Sequence, residues 1–587
     1  MLLEDLGLIG NCQFSALIAN SGAIVWCCLP RFDSEPLFGS LLDAGGGEFA
    51  VAPADGRSGR QNYIENTNVL ATEFEAADGR FRVLDFAPRF NRHERMFRPT
   101  QLVRIIEPIE GTPSIRVRFQ PRLGWSKAVP QFLQGSNHVR VEGFDAPVRL
   151  TSDISPTYLN GQAFALTERR HLVLSWGPPL EDAIAPVCDQ FLRLTVLYWQ
   201  RWVKHCNIPP SYQQAVIRSA LALKLHCFED TGAIVAAMTT SIPEARGSGR
   251  TWDYRYCWLR DAYYVLEALR LLGHFEEREQ FIQYLINIAA NAPDLDLRPL
   301  YRIDGGSDLS EQILENWAGF EGDGPVRIGN GAALHQQHDV FGEMVLALAP
   351  IYMDDRFTLE RSPATLDLIE RLARKAISVA GTPDAGIWEV RKTWEPQTFS
   401  SLMCWAAADR MAQIAQRHCP ERTAEFHAAA EKIREQIVAQ AWLADPGAFA
   451  STYGGADLDA ALLQMATLRF LPQGDPRMGT NIDAIERALS LDGWMYRYRN
   501  DDGLGTPEVA FVICTFWLVE ALVATGRMQA ARALMQRVQE ALSPLGLIAE
   551  DYATLSGRMW GNFPQAYSHV GLIHAAFAAS PRWRDIL

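Results

Sequence analysis

Two glutamates stand in surroundings suited to acid–base cleavage of a bond. Glu389 lies between Trp388 and Val390 in "DAGIWEVRKTWEP" (384–396), an apolar turn of the kind that raises a carboxyl pKa and keeps it protonated. Glu550 is followed by Asp551 and Tyr552 in "GLIAEDYATLSGRMWGNFPQAYSH" (546–569), a more polar loop that favours the ionised form. Hydrolysis of a glycoside needs such a pair: an acid for the leaving oxygen and a base or nucleophile for the anomeric carbon. Their separation decides between inversion and retention, and sequence alone does not contain it.

The stretches holding these glutamates are two of four in which Trp, Arg and acidic residues are dense. The others are "GSGRTWDYRYCWLRDA" (247–262) and "ENWAGFEGDGPVRIGNGAALHQQHDVFGE" (315–343). Aromatic faces stack on the apolar faces of sugar rings, while Arg and Asp read hydroxyls through paired hydrogen bonds. The competing reading makes the rings core and the charges a solvated rim. Four such loops on one scaffold favour a carbohydrate pocket.

The scaffold divides by pattern. Residues 1 to about 175 read as short strands separated by turns, with Asn20-Ser21-Gly22 and Asp78-Gly79 as hairpin signals, which predicts an antiparallel β-sandwich. A helical linker follows and stops before Pro209-Pro210. The expected boundaries are a sandwich at 1–178, a linker at 179–210 and a catalytic domain at 211–587. From residue 211 the pattern is amphipathic, with helices expected at 211–228, 259–273, 275–291, 330–352, 362–381, 398–417, 420–441, 457–466, 478–489, 507–525, 527–543 and 563–579. Helices in hairpin order without a fixed-period repeat favour a closed α/α barrel over a solenoid. Long loops at one end would carry the site.

Bulk properties narrow the function. The 587 residues, 48% apolar, suffice for two or three domains, and the formal charge of −14 argues against a nucleic-acid partner. Ten scattered cysteines without a C-x-x-C pair read as buried thiols of a reducing compartment. Glu4 and Asp5 occupy the place of a basic signal-peptide segment, and no apolar run has membrane-spanning length, so a cytoplasmic, membrane-free protein is expected. His335, His338 and Asp339 lack a further ligand at metal spacing, so neither a metal nor a cofactor is expected. Glu508 either caps a helix or touches substrate. A second copy of the chain stays open as a partner.

"EDLGLIGNCQFSALIANSGAIVWCCLPRFDSEPLFGSLLD", "TWDYRYCWLRDA", "GPVRIGN", "GIWEVR" and "GNFPQAYSH" occur in this order along the chain. Together they resemble glycoside hydrolase family 15, the glucoamylase and trehalase-like enzymes of bacterial type. The resemblance implies an N-terminal β-sandwich, a helical linker, a C-terminal (α/α)6 barrel and an inverting mechanism. It makes Glu389 the general acid and Glu550 the general base. It assigns Arg260 and Asp261 to hydroxyls of the non-reducing glucose, and Trp258, Trp388 and Arg327 to the pocket walls. Lys392, Thr393 and Trp394 depart from the family pattern, as do Glu321 and Asp323, on the side that receives the leaving group. The leading expectation is an exo-acting α-glucosidase that releases β-glucose from α-linked gluco-oligosaccharides or disaccharides. Trehalase is the alternative within the family. An inverting phosphorylase, in which phosphate replaces the base, and a non-catalytic sugar-binding protein are the more distant rivals.

Overall fold

The computed structural model describes residues 1–358, 361–391 and 393–587. In the N-terminal part, among the described residues, a seven-stranded and an eight-stranded sheet are both antiparallel. Alternation explains their burial. In Ser114–Gln120 the side chains of Ile115, Val117 and Phe119 are buried, while Arg116, Arg118 and Gln120 face solvent. Phe119 packs edge-on against Phe49 of the neighbouring strand, 5.2 Å between ring centroids. The expected Asp78-Gly79 turn joins Leu70–Ala76 to Gly79–Phe86, and the Asp78 carboxylate accepts the Ser114 backbone N–H at 3.0 Å.

Helix Ile184–Lys204 leads from the sheets into the helical part. There, each of the twelve expected segments contains helix, but several begin later than the periodicity suggests; in 457–466 the α-helix starts only at Gln464, after the 3-10 turn Ala460–Leu463. Residues 331–334 form only a short 3-10 turn, capped by the Asn330 side chain on the Ala332 N–H and ended where His335 is extended (φ −75°, ψ 153°), and the α-helix begins at Asp339. Residues 507–511 stay extended because Ala510–Phe511 pairs with the hairpin that follows Glu550, so that helix runs Val512–Ala524. Glu508 is therefore exposed, ahead of the helix and outside the pocket described below.

The two parts share a core and are pinned together at the aromatic run 247–262. The Trp26 indole donates to the Met238 carbonyl at 2.8 Å. Arg255, buried and forked onto Asp253, donates to the Ser34 carbonyl at 2.7 Å. Sheet residues thus fix the loop that carries the candidate sugar contacts. All ten cysteines are unpaired, and nine are buried. No helix among the described residues is long and apolar enough to cross a membrane.

Candidate active site

One pocket, enclosing roughly 730 Å³ with the solvent at its mouth, collects both glutamates together with Arg260, Asp261, Trp258 and Trp388. Each arrives on its own element. Cys257–Trp258 pairs with Leu300–Tyr301, which sets Trp258 at the start of helix Leu259–Leu271. Arg260 and Asp261 occupy that helix's first turn, where the dipole favours a carboxylate. The Arg260 guanidinium reaches Gln337 Oε1 at 3.3 Å, Asp261 at 3.6 Å and Glu389 at 3.6 Å. Among the described residues no hydrogen-bond partner meets Arg260 Nε or Asp261 Oδ2. Burial pushes the Asp261 carboxyl up to about 6, against the pull of Arg260.

Glu389 sits in a tight turn with φ 60°, a left-handed conformation that costs a non-glycine residue about 1 kcal/mol or more. Asp384 holds the turn: its Oδ2 accepts from the His338 N–H (2.9 Å), the Gly386 N–H (3.2 Å) and the Ser400 hydroxyl (2.7 Å). The Glu389 carboxylate accepts the Trp258 indole N–H at 2.7 Å and keeps 22% of its side chain exposed. Trp388, its sequence neighbour, sends its own indole N–H to Asp459 at 2.9 Å and packs on Phe511.

Glu550 stands immediately before the hairpin Asp551–Ala553/Arg558–Trp560. Its side chain is fully buried, and Gln565 Nε2, just ahead of helix Ala566–Ala579, donates to it at 3.4 Å. Burial first, and the nearby Glu244 carboxylate second, raise its pKa; the Tyr254 hydroxyl, Arg497 and the Asn562 backbone N–H work the other way. The surroundings read from sequence are thus exchanged. Glu550 is the desolvated carboxyl, and Glu389 lies against an indole N–H and an arginine. The φ of 60° at Glu389 brings its carboxylate to Trp258 and Arg260, while the flanking Trp388 faces Asp459.

Gly561 limits how closely the hairpin can return past Glu550. At φ +76°, a Cβ there would lie 2.6 Å from Glu550 Cβ, 2.7 Å from Asp551 Oδ2 and 2.8 Å from Glu550 Oε2. Gly561→Ala is expected to displace the carboxylate. A shift of ~1 Å at a reacting group costs about 100-fold in rate, so steady-state kinetics should show a loss of that order. An unchanged kcat in a folded variant would mean that Glu550 tolerates displacement.

Arg327 does not line the pocket. Its guanidinium is drawn to Glu311 at 2.7 Å and lies 5.2 Å from the Trp252 ring centroid; Trp252 and Arg391 are the residues that reach the wall. Lys392 lies outside the described residues. Tyr254, from the same run as Trp258, is in the lining as well, edge-on to Trp258 at 5.2 Å. Glu244, Arg250 and Arg497 also line the pocket and were missed by the sequence reading. Arg250 ends "GSGR" and Arg497 lies in "YRYRNDD", and pairing across 253 residues, as between Glu244 and Arg497, has no local signature.

Residues 210–577 match the sequence profile of Glycosyl hydrolases family 15, and residues 1–158 match Trehalase-like, N-terminal. The chain is 33% identical to a trehalase of Thermoplasma volcanium over 97% of its own length and 92% of the relative's. It is likewise 33% identical to a trehalase of Mycobacterium tuberculosis, covering 98% of this chain and 89% of that one. Among solved structures, a bacterial glucoamylase complexed with acarbose superposes with a TM-score of 0.69 at 14% identity, over 98% of this chain and 94% of the other.

Proposed function

Because the chain belongs to glycosyl hydrolase family 15, we propose that this glycoside hydrolase cleaves the α-glucosidic bond of trehalose with inversion at the attacked carbon. The observation that carries the reading is the convergence of Glu389, Glu550, Arg260 and Asp261 on one pocket. Arg260 and Asp261, paired with each other at 3.6 Å on the pocket lining, hold hydroxyls of the glucose ring. Trp258 and Trp388 wall the ring, and Arg327 acts at one remove by supporting Trp252. Glu389 gives its proton to the glycosidic oxygen. Glu550 takes a proton from a water whose oxygen bonds to C1 as the glycosidic bond breaks.

Contacts run from Glu550 to the Tyr254 hydroxyl, from the Tyr254 ring to Trp258, and from the Trp258 indole to Glu389. Inversion calls for a carboxyl spacing of about 6.5–9.5 Å, which leaves room for the water. In the same reading residues 211–587 form an (α/α)6 barrel with the pocket at one end, residues 1–178 a β-sandwich, and residues 179–210 the linker between them.

Trehalose is preferred because relatives named trehalase align over nearly the whole chain. Exo-cleavage of α-gluco-oligosaccharides, the leading expectation from sequence, becomes the second reading. What favours it is a cleft beyond Trp388 and Asp502, lined by Thr393, Glu395, Ser451, Asp457 and Asn500, where further sugar rings would fit. Initial rates on trehalose, maltose, isomaltose, maltotriose and dextran, with and without phosphate, decide between them. Trehalose is expected to exceed maltose in kcat/KM by ~10-fold or more. A preference for maltotriose would establish the second reading, and strict phosphate dependence would point to phosphorolysis.

A further inference from the structure

Glu550 lies in a crowd of buried charge. The carboxylates facing it or its neighbours are Glu244, Asp551 and Asp502; the cations are Arg250 and Arg497; Tyr254, Tyr498 and Cys514 face the same group. The cations are already engaged. Arg497 bonds Glu244 at 2.5 Å, and Arg250 forks onto Asp502 at 2.7 and 2.8 Å, with Glu244 a further 3.8 Å away. Glu244 is held again by the Trp252 indole N–H at 3.1 Å. Four ionised carboxylates against two guanidinium groups would leave two uncompensated negative charges among largely buried side chains. A buried site relieves such an excess by keeping a proton.

Hydrogen-bond donors decide which carboxyl keeps it. Glu550 Oε1 accepts from Gln565 Nε2 at 3.4 Å, and the Tyr254 hydroxyl and Asn562 backbone N–H face the same carboxyl, whose Oε2 is itself unpartnered among the described residues. Among the described residues no donor is paired with the Asp551 carboxyl, whose Oδ2 is buried against Gly561. Donors stabilise the charged form, and their absence leaves the neutral form favoured. We propose that Asp551 holds the cluster's proton and stays neutral, so that Glu550 is the ionised carboxylate, and that ionised Glu244, fixed by Arg497 and Trp252, sets how strongly Glu550 attracts a proton. Asp551 and Glu244 are positioning residues here, acting on the reaction only through Glu550. The inference rests on the reading of Glu550 as the base.

The test is kcat/KM against pH for the wild type, Glu244→Gln and Asp551→Asn. Glu244→Gln removes a facing negative charge, and the acid limb is expected to move down by ~1 pH unit; Glu244→Asp should restore it. Asp551→Asn mimics a carboxyl that is already neutral, so its acid limb should stay in place. An acid limb that moves down in Asp551→Asn as far as in Glu244→Gln overturns the proposal, as does an unmoved limb in Glu244→Gln. Infrared spectra at neutral pH give a readout independent of the kinetics. A protonated-carboxyl C=O band in the wild-type minus Asp551→Asn difference spectrum supports a proton on Asp551, and its absence from that difference overturns the proposal. Near wild-type activity in Glu550→Gln would instead defeat the underlying assignment, a separate outcome.

Discussion

Glu550→Gln is expected to lower kcat on the preferred glucoside by ~10³-fold or more, at the upper end of what a positioned base contributes. The amide keeps the shape and the acceptor that Gln565 and Tyr254 address, but it takes no proton from water. The fold should survive, because the substitution removes charge from a buried cluster that already holds more carboxylates than arginines. Circular dichroism and thermal melting check this separately from the kinetics. A folded variant that turns over near the wild-type rate would remove Glu550 from the mechanism.

The second large effect concerns the leaving group. Glu389→Gln should cost ~10²- to 10⁴-fold on trehalose, where the departing sugar oxygen must be protonated. On α-glucosyl fluoride, whose leaving group needs no proton, the loss should be far smaller. An equal loss on both substrates would mean that Glu389 binds or orients rather than protonates. The substitution keeps the Trp258 hydrogen bond available to the side-chain carbonyl, so the turn at φ 60° has no new reason to unfold.

Local sequence carried the scaffold well where periodicity is strong, as in the alternating strand 114–120 or the helices 398–418 and 423–441. It failed at several helix starts, among them those where the extended residue His335 and strand pairing at Ala510–Phe511 interrupt the apolar pattern. The pair Glu389 and Glu550, and the Trp258-Arg260-Asp261 group, were legible as motifs and share one pocket. Their environments were not legible. Trp388 adjoins Glu389 in the chain yet bonds Asp459, and Glu550 is buried and faces Glu244, Tyr254 and Arg497 from distant parts of the chain. Burial and charge are set by what the fold folds back onto a residue. For that reason Glu244, Arg250 and Arg497 left no readable trace of their proximity.

The central claim is water attack with inversion, assisted by Glu550 and Glu389. Both anomeric carbons of trehalose are α-configured, so inversion at one of them releases one β-glucose and one α-glucose. Proton NMR of the wild-type enzyme on trehalose, recorded faster than the sugars mutarotate, reads this ratio directly. Equal initial amounts of the two anomers are predicted. Release of α-glucose alone would contradict the account.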